Sequence, residues 1–430
     1  MPNPKDILQV SEYGRITNDR LLKELTSLYL KDKKWSKFLK VQNSFAYFKH
    51  YVGTVQTGQF TVSILPKVWT KDDQIQEGTM KNLLRILLYT YLTPSLFNPE
   101  TMISPRYERN DLFELLIMFY SITLEKELNQ GMYRRYVRRE EESRYLRGKL
   151  NLEKQLNRLD KSVFDITDFR FSPDNELNRY FAYATNLFST FTQDLRSLHL
   201  LTSIEQLFQS ETVANHTLPM PVSFNRLNDR FQIPYNYADL IIKHMRPDPG
   251  NGKQAMMMLF DMNRVFQEFF VKFIKKNEST IFPGSLVKTV PQHMKKNFIF
   301  NESGALRYTI PDLWIELQKE NRKKIFIIDM KYKIMKDIII EESSENSDDD
   351  VFNITSSDLY QVFTYSDLYR ADGTILVFPG GKNQLSGPYN FKKDGLQFWV
   401  CMLRLDFNED EWEKDLAKEF REVFNKVASF

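Results

Sequence analysis

The chain has a single cysteine among its 430 residues, so an intrachain disulfide is excluded and a reducing compartment is expected. That thiol, Cys401, sits in the apolar run LQFWVCMLRL, where it reads as a small core residue. Glycine is scarce, with 15 in all, and 42% hydrophobic and 27% charged residues mark a folded globular chain, not a disordered one. The five histidines, at 50, 199, 216, 244 and 293, lack zinc-ligand spacing. No run of about 18 apolar residues occurs, and the opening MPNPKDILQV has no basic segment leading into an apolar one. Neither a membrane span nor export is expected, which leaves the cytoplasm as the default. Lys plus Arg total 59 against 56 Asp plus Glu, a formal charge of +3 that names no polyanionic partner, so any basic surface must be local. A phosphate-binding loop is missing too: the nearest approach, GTVQTGQF at 53–60, has Gln59 and Phe60 where a lysine and a hydroxyl residue would stand.

What is present falls into three parts, as expected for a length beyond one hydrophobic core. Residues 1–78 read as a small β-rich module, because Phe60, Val62 and Ile64 alternate with polar neighbours and Thr57-Gly58 supplies a turn within 46–67, giving a β-hairpin. Residues 79–248 read as mainly helical: MKNLLRILLYTYL, DLFELLIMFYSITLEKELNQGMYRRYV, LNRYFAYATNLFSTF and LTSIEQLFQS carry apolar residues three and four apart. The breaker cluster Pro247–Gly252 marks a boundary, after which 249–430 reads as a helix (AMMMLFDMNRVFQEFFVKFIKK), three strands, a helix (SSDLYQVFTYSDLYRAD), strands at TILVF and LQFWVCMLRL, and a final helix from Glu409. The fold class is therefore α+β or α/β, with a C-terminal mixed sheet flanked by helices. The acidic stretch from Glu341 to Asp350 reads as a solvated insertion.

The chemistry concentrates in IPDLWIELQKENRKKIFIIDMKYK, residues 310–333. Side chains alternate along a strand, so Ile325, Ile327, Asp329 and Lys331 share one face, while Phe326, Ile328, Met330 and Tyr332 share the other. Both faces are apolar until the strand ends, as in a central strand covered on two sides. In the preceding strand Leu313, Ile315 and Leu317 turn to the core, and Pro311 suggests a strand margin. Antiparallel pairing through the short QKENRKK connection would set Asp312 beside Asp329. Two carboxylates about 4 Å apart repel by roughly 4 kcal/mol at an effective dielectric of 20, unless a cation lies between them. Hard oxygen ligands without a cysteine or histidine cluster point to Mg2+. Lys331 could then position or help deprotonate an attacking water, or offset charge in a phosphorane-like transition state. A D-x-K alone is more often a surface ion pair; the upstream Pro-Asp, the buried strand and the following helix favour a site.

Pro311-Asp312 followed by Asp329-Met330-Lys331 resembles the PD-(D/E)xK motif of restriction-endonuclease-like folds, and IIDMKYK followed by DLYQVFTYS is similar to the D-x-K-Y-K and Q-x-x-x-Y pattern of the McrC family. FTVSILPK, MKNLLRILLYTY, YRRYVRREEESRYLRGKL and MLFDMNRVFQEFF resemble further segments of that family in the same order. The resemblance implies the nuclease subunit of a modification-dependent restriction system: Mg2+-dependent cleavage of double-stranded DNA, together with an McrB-like AAA+ motor that binds the GTP and that the N-terminal module engages. It implies Asp312 and Asp329 as metal ligands, Lys331 as the catalytic lysine, and Gln361 and Tyr365, on one helix face, as supporting residues. Where the family usually has Glu, this chain has Gln267, followed by Glu268, a further candidate ligand. Arg134, Arg135, Arg138 and Arg147 belong to the strongest basic cluster, interleaved with tyrosines, which reads either as a phosphate-contacting surface or, with Glu140, Glu141 and Glu142 among them, as a self-paired solvated helix. The competing functions are a catalytically inactive activator of the GTPase motor, which Gln267 favours, and a stand-alone repair nuclease.

Overall fold

Pairing of segments far apart along the sequence shapes this chain more than their order does. The computed structural model describes residues 6–71, 74–92, 111–211, 222–247, 256–291, 295–301, 304–319, 322–333, 354–380, 383–392, 395–407 and 411–428. Two compact units result: residues 1–7, 54–61 and 109–258 in one, and 8–53, 62–108 and 259–430 in the other. The expected parts, 1–78, 79–248 and 249–430, follow chain order, whereas the units take residues from several stretches, which composition along a sequence does not signal. The acidic stretch 341–350 and most of the Pro247–Gly252 cluster lie outside the described residues.

The C-terminal part of the second unit holds a six-stranded mixed sheet flanked by helices: α1 (Met262–Lys276), β1 (Leu286–Pro291), β2 (Leu313–Lys319), β3 (Arg322–Met330), α2 (Ser356–Tyr369), β4 (Gly373–Gly380), β5 (Gln384–Asn390), β6 (Gln397–Arg404) and α3 (Trp412–Val427). The sheet order is β1-β2-β3-β4-β6-β5. Its first three strands pair antiparallel, β3–β4 and β4–β6 pair parallel, and β5 closes the far edge antiparallel. Both faces of β3 are covered. Ile327 packs with Trp314 and with Tyr365 and Tyr369 of α2, while Phe326 on the other face meets Phe424 of α3 edge-on at 6.2 Å. The edge strands β1 and β5 stand outside the expected α-β-β-β-α-β order; their half-exposed sequences LVKTVP and QLSGPYN lack the apolar alternation that marks a strand with a buried face.

Helix α1 begins later than expected. Residues Met256–Asp261 form a strand, and Asp261 caps the helix by accepting from the Asn263 N–H at 3.0 Å. A short apolar run such as MMMLF fits either element, and the cap decides the boundary. From there Val265, Phe266, Phe269, Phe270 and Phe273 bury one face at helical spacing. The N-terminal hairpin is present as strands Tyr51–Gln56 and Phe60–Leu65, closed by Thr57 and Phe60, whose N–H groups donate to Phe60 O at 2.8 Å and Thr57 Oγ1 at 3.1 Å.

The first unit contains the expected helices Leu112–Asn129, Glu176–Phe191 and Leu195–Ser210, together with Gln232–His244. The helical expectation fails at residues 133–150. Arg135–Ser143 is a nine-residue strand in a three-stranded sheet with Lys149–Leu150 and Phe164–Ser172. Arg and Glu favour helix locally, but here ion pairs tie the strand to its neighbours, such as that of Arg170 with Glu141, and tertiary pairing overrides propensity. Gly148 makes the L-R-G turn possible. Its φ is +75°, and a Cβ there would lie 2.4 Å from the Thr167 carbonyl oxygen. Cys401 is buried, and burial pushes its thiol up to about 12. Among the described residues no helix is long and apolar enough to cross a membrane.

Candidate active site

Register brings the two aspartates together. Leu313 pairs with Ile328 in the β2–β3 ladder, so continuing by one residue sets Asp312 opposite Asp329. Pro311 and Asp312 stand just before β2, at the strand margin expected from a residue without an N–H. Asp312 Oδ2 accepts from the Met330 N–H at 2.8 Å, which fixes its carboxylate against the end of β3. Asp329 and Lys331 share a face as alternation requires: Lys331 Nζ lies 3.0 Å from Asp329 Oδ2. Tyr332 turns the other way and donates to Glu12 Oε1 at 2.5 Å.

Helix α2 supplies the second wall. The Thr355 side chain and the carboxylate of Asp358 close a capping box at its start, and Lys333 Nζ pairs with Asp358 Oδ2 at 2.6 Å, which ties the end of the D-x-K-Y-K segment to the helix. Gln361 faces the site: its Oε1 accepts from Lys331 Nζ at 2.6 Å, and its Nε2 donates to Tyr365 OH at 2.7 Å and points at Asp329 Oδ1 from 3.5 Å. Tyr365 OH in turn donates to Ile310 O at 2.9 Å. One turn further, Tyr369 OH donates to Thr309 O at 2.8 Å. Sequence reading found Gln361 and Tyr365 but missed Tyr369, although its four-residue spacing from Tyr365 continues the same stripe.

Helix α1 closes the third side with Gln267, not Glu268. Gln267 Nε2 reaches Asp312 Oδ2 at 3.3 Å and Met330 O at 3.5 Å. Glu268, about 100° further round the helix, pairs instead with Arg264 at 2.7 Å. The structure therefore assembles Asp312, Asp329, Lys331, Gln361 and Tyr365 and leaves Glu268 out.

The electrostatics follow from crowding charge under a sheet. Burial, then the neighbouring Asp329 charge, pushes the Asp312 carboxyl up to about 7, against the Met330 N–H and Lys331. Asp329 is 1% exposed, and burial raises its pKa despite the adjacent Lys331. Burial, then Asp329, pushes Tyr365 up to about 12. Asp329 Oδ2 is buried and, though close to Lys331, receives no hydrogen bond of proper geometry. An under-satisfied carboxylate oxygen beside a second carboxylate fits a hard divalent cation of the Mg2+ type, which Asp312 and Asp329 are the side chains placed to hold. Among the described residues no group of three or more His, Cys, Asp or Glu side chains forms a fuller cage.

The four candidate DNA-binding arginines belong to the other unit. Arg134 pairs with Glu211 at 2.7 Å, Arg138 with Glu140 at 2.8 Å, and Arg135 with Glu176, while Arg147 lies in the field of Asp168. Arg134, Arg135 and Arg138 are thus matched as in the self-paired reading, whereas Arg147 has no carboxylate within ion-pair distance among the described residues.

Comparison with known proteins adds three findings. A family model described as "McrBC 5-methylcytosine restriction system component" matches residues 46–379. Among solved structures, the chain is similar to one from a half-complex of the tetradecameric assembly of Thermococcus gammatolerans McrB AAA+ hexamers with bound McrC, at 20% identity and TM-score 0.65, covering 98% of this chain and 100% of that one. It is also similar to a chain of the Thermococcus gammatolerans McrBC complex, at 22% identity and TM-score 0.50, covering 63% of this chain and 88% of that one. No curated protein matches. At these identities the structural likeness establishes the fold.

Proposed function

Because this chain belongs to the family of McrBC 5-methylcytosine restriction system components, we propose that it is the DNA-cleaving subunit of such a system. It hydrolyses phosphodiester bonds of double-stranded DNA when assembled with a GTP-hydrolysing AAA+ motor of the McrB kind, and it stimulates that motor. The observation that carries this reading is the convergence of Asp312, Asp329, Lys331 and Gln361 at the end of β3. A chain of a McrB assembly with bound McrC shares the fold, which supports the partner.

Asp312 and Asp329 would hold Mg2+. When bound, the ion polarises a phosphoryl oxygen and lowers the pKa of a water. Lys331, held between Asp329 and Gln361, directs its ammonium N–H groups toward the attacking water and the charge that develops on phosphorus. Water attacks phosphorus and loses a proton to solvent, the P–O bond to one deoxyribose breaks, and the leaving oxygen takes up a proton from solvent to become a hydroxyl. Gln361 keeps the lysine in place, and Tyr365 anchors Gln361 to the segment that delivers Asp312.

Gln267 supports a second reading, a motor activator without nuclease activity, because an amide stands where a third carboxylate would complete the ligand set. One experiment separates the two. The chain, its motor, GTP and Mg2+ are incubated with methylated and unmethylated plasmid, beside Asp329→Ala and Lys331→Ala. Cleavage of methylated DNA that both variants abolish while GTPase stimulation persists supports the nuclease. An unaltered complex that stimulates GTP hydrolysis and cuts nothing supports the activator.

A further inference from the structure

The segment that delivers Asp312 is the end of a two-stranded antiparallel ribbon, Lys296–Asn301 with Gly304–Thr309, inserted between β1 and β2. Its base is fixed to the site: the Thr309 and Ile310 carbonyls accept from Tyr369 and Tyr365 of α2. Lys296 adds to that anchorage, because its Nζ donates to Leu368 O at 2.6 Å and lies 4.7 Å from the centre of the Tyr369 ring.

The outward groups are of another kind. Asn297 pairs with Tyr308, and Lys295 Nζ lies 4.4 Å from the centre of the Tyr308 ring, so Lys295, Asn297 and Tyr308 share a face. Tyr308 is 54% exposed with Lys295 exposed beside it, while Arg307, the next residue along the strand, is exposed on the opposite face of the ribbon, so the arm carries a cation on each side. Among the described residues neither Lys295 nor Arg307 has a carboxylate within ion-pair distance, in contrast to Arg134, Arg135 and Arg138, whose charges are already matched. Free cations gain most from a polyanion, because they displace its counterions without first breaking a pair.

We propose that this ribbon is the DNA-binding arm of the site, with Lys295 and Arg307 on backbone phosphates and the Tyr308 ring against a sugar or base of the strand presented for cleavage. The proposal rests on the hydrolytic reading for the identity of its ligand. Arg307 stands five positions before Asp312, a reach of at most about 17 Å. That corresponds to about five nucleotides of axial rise, so the arm grips phosphates flanking the scissile one and leaves that one to the aspartates. An exposed aromatic beside uncompensated cations suits a nucleic-acid strand better than an apolar protein surface, and it asks for little sequence preference.

The test is fluorescence anisotropy of the full chain with a short labelled duplex in EDTA, so that nothing is cut, across a salt series. Lys295→Ala/Arg307→Ala is expected to flatten the logarithmic salt dependence by about two contacts, so that between about 50 and 200 mM salt the unaltered chain loses about tenfold more affinity than the variant does. Tyr308→Ala should weaken binding while Tyr308→Phe restores it, and Arg307→Lys should keep the slope; equal melting temperatures exclude misfolding. Arg138→Ala is expected to bind as the unaltered chain does. Unchanged affinity and slope in the double variant overturn the proposal, as does a full chain that binds no duplex; if the double variant loses only motor stimulation, the arm is a protein contact instead. Cleavage is read in parallel with the motor, GTP and Mg2+ present: an assembly whose chain binds through the ribbon yet cuts nothing keeps the arm and removes the hydrolytic reading, whereas one that cuts equally well with and without the arm does the reverse.

Discussion

Replacing Gln267 with glutamate perturbs the two-carboxylate site at the one position where the sequence departs from an acidic helix residue. The present amide donates to Asp312 Oδ2 from 3.3 Å. An ionised carboxylate at that separation would repel Asp312 by about 5 kcal/mol at an effective dielectric of 20. The protein can avoid this by taking up a proton, and the Asp312 carboxyl, pushed up to about 7, takes it at little cost at pH 7; at about pH 8.5 that proton costs about 2 kcal/mol, which caps the destabilisation. In EDTA at about pH 8.5, Gln267→Glu should therefore melt lower by up to about 5 °C, and at pH 7 by much less. With Mg2+ the order changes, because a third carboxylate adds to the field that holds the ion, so the metal-induced rise in melting temperature should exceed that of the unaltered chain and cleavage should need less Mg2+. The assay is thermal unfolding in EDTA and across a Mg2+ series, with plasmid cleavage alongside. Equal melting in EDTA together with an equal or smaller response to Mg2+ would show that residue 267 does not face a metal site.

The Asp312 carboxyl, pushed up to about 7 by burial and then by Asp329, sets a pH dependence. A raised folded pKa contributes stability that is fully present below the unfolded value of about 3.9 and is lost as pH rises through about 7, so the metal-free chain should weaken across that window. Mg2+ binding must expel the same proton, so the melting-temperature gain from Mg2+ should be smaller at about pH 5.5 than at about pH 8. Gln361→Ala frees Lys331 from its 2.6 Å acceptor; cleavage should slow about 10–100-fold with little change in DNA affinity, as measured by kcat against KM. Glu268→Ala removes only an exposed pair with Arg264, worth about 0.3–0.5 kcal/mol, and should leave cleavage unchanged, whereas a collapse of activity would put that carboxylate in the site after all.

The site was legible because it obeys short-range rules. Alternation put Asp329 and Lys331 on one face, a short connection implied the antiparallel partner that carries Asp312, and a four-residue step joined Gln361 to Tyr365. Each needs only a few neighbouring residues and one assumption about periodicity. The strand Arg135–Ser143 was not legible, since Arg and Glu suit a helix and its stability comes from carboxylate and guanidinium partners elsewhere, such as Arg170 and Arg158. Nor was the partner of Asp312: Gln267 and Glu268 are both polar helix residues, and only the azimuth of α1 against β3 decides which one arrives. That Lys295 and Arg307 have no carboxylate partner among the described residues was hidden for a related reason. A basic residue advertises itself in sequence, but whether a carboxylate lies against it is a property of the folded chain, so the denser arginine cluster drew attention to Arg134, Arg135 and Arg138, whose charges are already matched.

The central claim is that Asp312 and Asp329 share one divalent cation. Crystals of the full chain soaked in Mn2+, with data collected at its absorption edge, test it directly. A single anomalous peak between the two carboxylates is expected, absent from Asp329→Ala. Strong Mn2+ peaks elsewhere and none between Asp312 and Asp329 would contradict it.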